Sequence, residues 1–176
     1  MEREAEEKYE YWNGEVFCMS GAGPRYVDIV ENLSRHLGNK LAGRNCRVMG
    51  SDMKLKVPAT APYRYADLSV TCGERKFEQI GGMDVLVNPT LIIEVLSPPS
   101  ERFDRTAKFA LYQSIPRFKE YLLVAQDRPC ITHYVKQPPN IWRPDEASNL
   151  AASLYLPSID CTLALSEIYE GISFGD

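Results

Sequence analysis

Asp67 and Glu94 are carboxylates set inside otherwise apolar, β-favouring segments, and Lys108 follows on the next element of the chain. A carboxylate is costly to desolvate unless it is paired, protonated or bound to a metal, so an acid inside a strand calls for a partner. Hard divalent cations such as Mg²⁺ are held by one or two carboxylates, with water completing the shell. A nearby ammonium can orient or deprotonate an attacking water and offset phosphate charge. Together these are the ingredients of phosphodiester hydrolysis. The residue types alone also fit a plainer account, in which each buried acid is matched by a structural Arg or Lys.

The elements that must position these groups are legible in outline. Pro89 and Pro98 bracket the run Leu91-Ile92-Ile93-Glu94-Val95-Leu96, which is too short for a helix and reads as a central strand buried on both faces. Asp67 falls inside Tyr63-Arg64-Tyr65-Ala66-Asp67-Leu68-Ser69-Val70-Thr71, a second predicted strand, where Asp is disfavoured and therefore informative. Ser100 is positioned to cap a helix over residues 101 to 114, ended by Pro116. From such a helix Lys108 can reach Glu94, or it can simply pair with Asp104 at i,i+4. Arg102 and Arg105 could meet phosphates or pair with Glu101 and Asp104, and Tyr112 reads as core packing.

Around this centre, residues 1 to 10 form an acidic lead-in, and Tyr9-Glu10-Tyr11-Trp12, Asn13-Gly14 and Glu15-Val16-Phe17-Cys18-Met19 have the form of a two-residue hairpin. Pro24 opens an amphipathic helix with Tyr26, Val30, Leu33, Leu37 and Leu41 on its apolar stripe until Gly43, and Asp28, Glu31 and Arg35 off it. Arg47-Val48-Met49-Gly50 and Met53-Lys54-Leu55-Lys56-Val57 read as short strands. From Arg35 to Lys56 six Lys or Arg face one acid, Asp52, which is either a solvated face or a phosphate track. Residues 72 to 84 are expected to be a long polar loop beside a cleft. Strands are expected at residues 121 to 124, 131 to 135 and 150 to 155, and a closing helix near residues 163 to 169.

Composition bounds the reading. The length suits one domain over residues 1 to 176. A net charge of −4 argues against a surface held to nucleic acid mainly by long-range attraction, so phosphate contacts must be local. Cys18, Cys46, Cys72, Cys130 and Cys161 have no zinc-type spacing and read as reduced thiols of a cytoplasmic protein. Only His36 and His133 are present, so a metal here would sit on carboxylates. The N-terminus is charged where a signal peptide is apolar, and no apolar run approaches a membrane span.

Tyr9-Glu10-Tyr11-Trp12-Asn13-Gly14-Glu15, Met19-Ser20, the helix from Pro24, Ala66-Asp67, Glu94-Val95-Leu96-Ser97-Pro98, Asp104 with Lys108, Tyr112 and Glu120-Tyr121-Leu122 occur in an order and spacing that resembles the Uma-type restriction endonuclease family, a branch of the PD-(D/E)xK nuclease superfamily. The resemblance covers roughly residues 8 to 136 and is most specific from Glu94 to Lys108. It implies an α/β (α+β) restriction-endonuclease-like fold: a mixed β-sheet flanked by helices, with an N-terminal hairpin and added C-terminal strands. It implies a Mg²⁺-dependent endonuclease, with Mn²⁺ as a substitute and DNA as the expected partner. Asp67 and Glu94 match the metal-binding acids, with the Val95 carbonyl as a further ligand, Lys108 as catalytic lysine and Glu31 as a residue completing the shell. By analogy with nucleases that cut both strands, a homodimer is expected.

Three positions depart from that pattern. Ala66 replaces the proline before the first acid. Leu96 stands where the superfamily's lysine would fall, so the lysine is moved to Lys108. Tyr26 stands where the family often has His. These departures keep a second reading open, that of a nuclease-fold module that binds nucleic acid or regulates without turnover. A third leaves the acids in structural ion pairs.

Overall fold

The structure is a computed structural model that describes residues 9–12, 15–18, 23–60 and 63–175. Residues 1 to 8 of the lead-in expected over residues 1 to 10, the Asn13-Gly14 turn and the segment 19 to 22 lie outside the described residues. The strands flanking that turn pair as expected: β1 (Tyr9–Trp12) and β2 (Glu15–Cys18) run antiparallel with Trp12 opposite Glu15. The helix opened by Pro24 is α1 (Pro24–Lys40), which buries Ile29, Leu33 and Leu37.

A mixed sheet forms the middle of the molecule. Among the described residues it has six strands, in the order β12 (Ile141–Ser148), β11 (Cys130–Gln137), β10 (Glu120–Val124), β9 (Leu91–Val95), β6 (Leu68–Cys72) and β3 (Cys46–Gly50). The aliphatic run around Glu94 is β9, and it pairs parallel to β10 and antiparallel to β6. Every residue of β9 and of β10 is buried. Strand alternation divides β9 between two cores. Leu91, Ile93 and Val95 pack with Ile29, Leu33 and Leu37 of α1 on one face. Ile92 joins Phe109, Tyr112, Phe118, Tyr121 and Leu123 on the other, and Glu94 shares that side by parity.

A smaller sheet, β5-β4-β8-β7, flanks this frame. It comprises β4 (Lys54–Leu55), β5 (Arg64–Tyr65), β7 (Phe77–Ile80) and β8 (Met83–Leu86). The chain closes with the antiparallel pair β13 (Ser153–Leu156) and β14 (Cys161–Ala164), then the short helix α4 (Leu165–Ile168). No helix among the described residues is long and apolar enough to cross a membrane.

Several expectations are corrected. The loop expected over residues 72 to 84 contains most of a hairpin, β7 to β8, turning at Gly81 and Gly82 with φ of 58° and 79°. Two successive positive-φ residues suit the type I′ turn, and a Gly-Gly pair is the local signal for it. No strand is expected between residues 135 and 150, yet β12 runs there with Pro144 inside it; at the sheet's edge a missing N–H costs little. The strand expected through Asp67 is interrupted there, β5 ending at Tyr65 and β6 starting at Leu68. Cys46 and Cys72 are not reduced thiols: they face each other across β3 and β6 and form a disulfide. Cys130 and Cys161 remain free and buried.

Candidate active site

Register brings the two acids together. Leu68 of β6 is opposite Ile93 of β9, so one residue beyond that pair Asp67 comes beside Glu94 at the same end of the sheet. Asp67 sits on the bend between β5 and β6, where no ladder holds it, and its carboxylate is held by two donors instead. The Val95 backbone N–H donates to its Oδ2 at 2.6 Å, and the Tyr26 hydroxyl donates to its Oδ1.

Lys108 approaches from the opposite layer. Its Nζ is 2.8 Å from Glu94 Oε1 and 3.4 Å from Asp104 Oδ1, so it meets both acids at once. The segment is not a plain helix: α2 (Glu101–Phe103) passes into a π-helical turn over Asp104–Lys108 and then α3 (Phe109–Tyr112). In an α-helix residues four apart drift about 40° around the axis, so Asp104, Lys108 and Tyr112 would fan out. The wider π turn reverses that drift over its own length, so that Lys108 and Tyr112 both meet Glu94 while Asp104 meets Lys108. Tyr112, read from the sequence as core packing, donates its hydroxyl toward Glu94 Oε1 at 2.8 Å, with the Tyr65 carbonyl oxygen at 3.2 Å. Tyr121 donates to the Asp104 carbonyl oxygen at 3.0 Å, supporting the π turn from β10. Ser100 does not cap this helix with its side chain; its hydroxyl pairs with that of Ser97.

Burial sets the electrostatics. Asp67, Glu94, Asp104 and Lys108 are 8, 2, 3 and 4 % exposed. Desolvation pushes the Glu94 carboxyl well above the usual carboxylate range; Lys108 opposes this, while Asp67 and Asp104 add to it. Burial also raises Asp67, against the pull of Lys108, the Tyr26 hydroxyl and the Val95 N–H. Burial first and Asp67 next raise the Tyr26 phenol, so it is present as an O–H donor.

Lys108 thus meets Glu94 and Asp104 while Asp67 stands beside them, and this concentration of buried carboxylates has the sign that favours a divalent cation. Among the described residues no three His, Cys, Asp or Glu side chains are grouped to hold a metal. Mg²⁺ does not require three, since it keeps several waters and takes one or two carboxylates. The donor set of Asp67 and Glu94 at one strand end fits such an ion.

Other candidates fall elsewhere. Glu31 is exposed on α1, about 140° around the helix from Tyr26, and so points away from the acids. Leu96 lies in the core on the Glu94 side, so a lysine there would have pointed where Lys108 now arrives. Arg105 pairs with Glu101 at 2.8 Å. The basic stretch is largely matched by acids: Arg35 meets Glu170 at 2.6 Å, Lys40 meets Glu167 at 2.9 Å, and Lys56 meets Glu78. These pairs favour the solvated, charge-balanced face over a phosphate track. His36 lies 3.2 Å from Glu170, and His133 is buried 2.8 Å from Glu120, so neither histidine joins the site.

Residues 1–166 match the family model Uma2, described as "Putative restriction endonuclease". The chain belongs to the Uma2 family. Two relatives from Synechocystis sp. strain PCC 6803 are similar over most of their length. "Uncharacterized protein slr1290" is 36% identical over 177 residues, covering 98% of this chain and 89% of the relative. "Uncharacterized protein sll1609" is 37% identical over 141 residues, covering 80% and 79%. Among solved structures, a "putative nuclease belonging to DUF820" from Anabaena variabilis superposes with a TM-score of 0.74 at 16% identity, covering 94% of this chain and 92% of that one. Family and fold together make this Uma2 member nuclease-like, with the mixed sheet and flanking helices expected of it.

Proposed function

We propose that this chain is a metal-dependent endonuclease that hydrolyses phosphodiester bonds, with DNA as its substrate. The observation that supports the reading best is Lys108 Nζ within 2.8 Å of Glu94 Oε1, delivered by a helical segment in place of the strand lysine that Leu96 displaces. Asp67, Glu94 and the Val95 backbone carbonyl are the groups assigned to hold Mg²⁺ or Mn²⁺. When bound, such an ion lowers the pKa of its water and neutralises charge developing on phosphate.

The chain's own residues have distinct parts. Asp67 and Glu94 present oxygens from adjacent strand ends. Lys108, held between Glu94 and Asp104, is the ammonium assigned to orient the attacking water and to offset phosphate charge. Asp104 and Tyr112 hold the lysine and Glu94 in line. The water oxygen forms the new bond to phosphorus as the bond to the leaving oxygen breaks. Glu31, facing away on α1, is given no place in the inner shell. Two copies acting as a homodimer would match cleavage of both strands.

The test is supercoiled plasmid incubated with Mg²⁺ or Mn²⁺, comparing wild type with Glu94→Ala purified identically. Cutting by wild type alone, abolished by EDTA, is the expected result. Equal cutting by both, or none by either, counts against turnover and favours a nucleic-acid-binding module.

A further inference from the structure

Asp67 is held unlike Glu94. Glu94 belongs to a strand paired on both sides, whereas Asp67 lies on a bend outside the sheet ladders. Its carboxylate geometry therefore rests on its hydrogen bonds. One donor is the Val95 N–H, which is part of the sheet; the other is the Tyr26 hydroxyl, from α1 on the opposite face to Lys108. A carboxylate oxygen has two lone pairs, so one donor on each oxygen leaves each able to bind a cation as well.

We infer that Tyr26 is a positioning residue for the cation site, fixing through its hydroxyl the orientation in which Asp67 presents an oxygen to a divalent cation. This rests on the cation reading above and extends it to α1. The ring of Tyr26 also packs against the core beneath α1, a contact that phenylalanine would keep. Hydrogen-bond partners of ligating carboxylates commonly contribute ten- to a hundredfold to metal affinity.

The experiment is calorimetric titration of Mn²⁺ into the full chain as wild type, Tyr26→Phe and Asp67→Asn, each with a metal-free melting curve. The expected result is a dissociation constant raised by about 10- to 100-fold in Tyr26→Phe, with the metal-free unfolding midpoint close to wild type. Asp67→Asn should lose more. Unchanged or tighter Mn²⁺ binding in Tyr26→Phe overturns the inference and leaves the cation site standing. A loss of affinity matched by a lowered metal-free midpoint assigns the hydroxyl to structure alone and overturns it too. Absence of binding by wild type overturns the cation reading itself.

Discussion

Lys108 Nζ lies 2.8 Å from Glu94 Oε1 with both side chains buried, so a single ion pair joins the helical layer to the central strand of the sheet. Removing one partner of such a pair leaves an uncompensated buried charge and costs more than the pair contributes. Lys108→Met should lower unfolding free energy by about 3–5 kcal/mol at neutral pH, measured by urea denaturation. The deficit should shrink in acid, where Glu94 takes up a proton. Plasmid cleavage should be lost at every pH at which the variant is folded.

The metal-free protein should be more stable in mild acid than at neutral pH. Glu94 has a folded-state pKa above its ordinary 4.5, so the folded chain binds that proton more tightly than the unfolded one. Its contribution is fully present below the unfolded pKa and lost as pH rises through the folded one. Glu170, held by Arg35 and His36, is shifted the other way, and its contribution is lost as pH falls below the usual carboxylate range. The unfolding midpoint should therefore rise from about pH 8 to about pH 5.5 and decline in stronger acid. Glu94→Gln should flatten the upper limb; an unchanged slope would count against the shift.

Tyr112 was read as packing and proves to be a hydrogen-bond donor to Glu94 Oε1 at 2.8 Å. Tyr112→Phe keeps the ring and removes the donor, at a cost of about 1.5 kcal/mol for a bond to a charged group. A double-mutant cycle with Glu94→Ala, which removes the acceptor, should show coupling between the two positions. Strict additivity would mean that the hydroxyl serves the Tyr65 carbonyl oxygen alone.

The Cys46–Cys72 disulfide closes a loop of 26 residues and ties the edge strand β3 to β6, the strand that follows Asp67. Reduction should lower stability by about 3 kcal/mol on the chain-entropy model. Denaturant curves with and without reductant, set against Cys46→Ala with Cys72→Ala, would measure it. Reductant should have no effect on the double variant.

Local chemistry made much of this molecule readable in advance. Pro89 and Pro98 delimit a buried strand, Pro24 starts α1, and the periodicity of Leu33 and Leu37 names its buried face. Asp67, Glu94 and Lys108 stood out because ionisable groups among apolar neighbours are costly to bury. Gly81-Gly82 carried a hairpin signal that was legible and was passed over.

The sequence by itself determined the buried central strand through Glu94, the helix from Pro24 with its apolar face, and the strands around residues 121–124 and 131–135, because those depend on neighbours a few positions away. Tertiary structure alone decided four things. The pairing of Leu68 with Ile93 sets Asp67 beside Glu94. The π turn brings Lys108 and Tyr112 onto Glu94 and Asp104 onto Lys108. The register of β3 against β6 joins Cys46 to Cys72, and α1 carries Tyr26 to Asp67 while turning Glu31 away. Each of these depends on how elements distant in the chain settle against one another, and a shift of one residue in strand register or helical turn would send every one of those side chains to a different face.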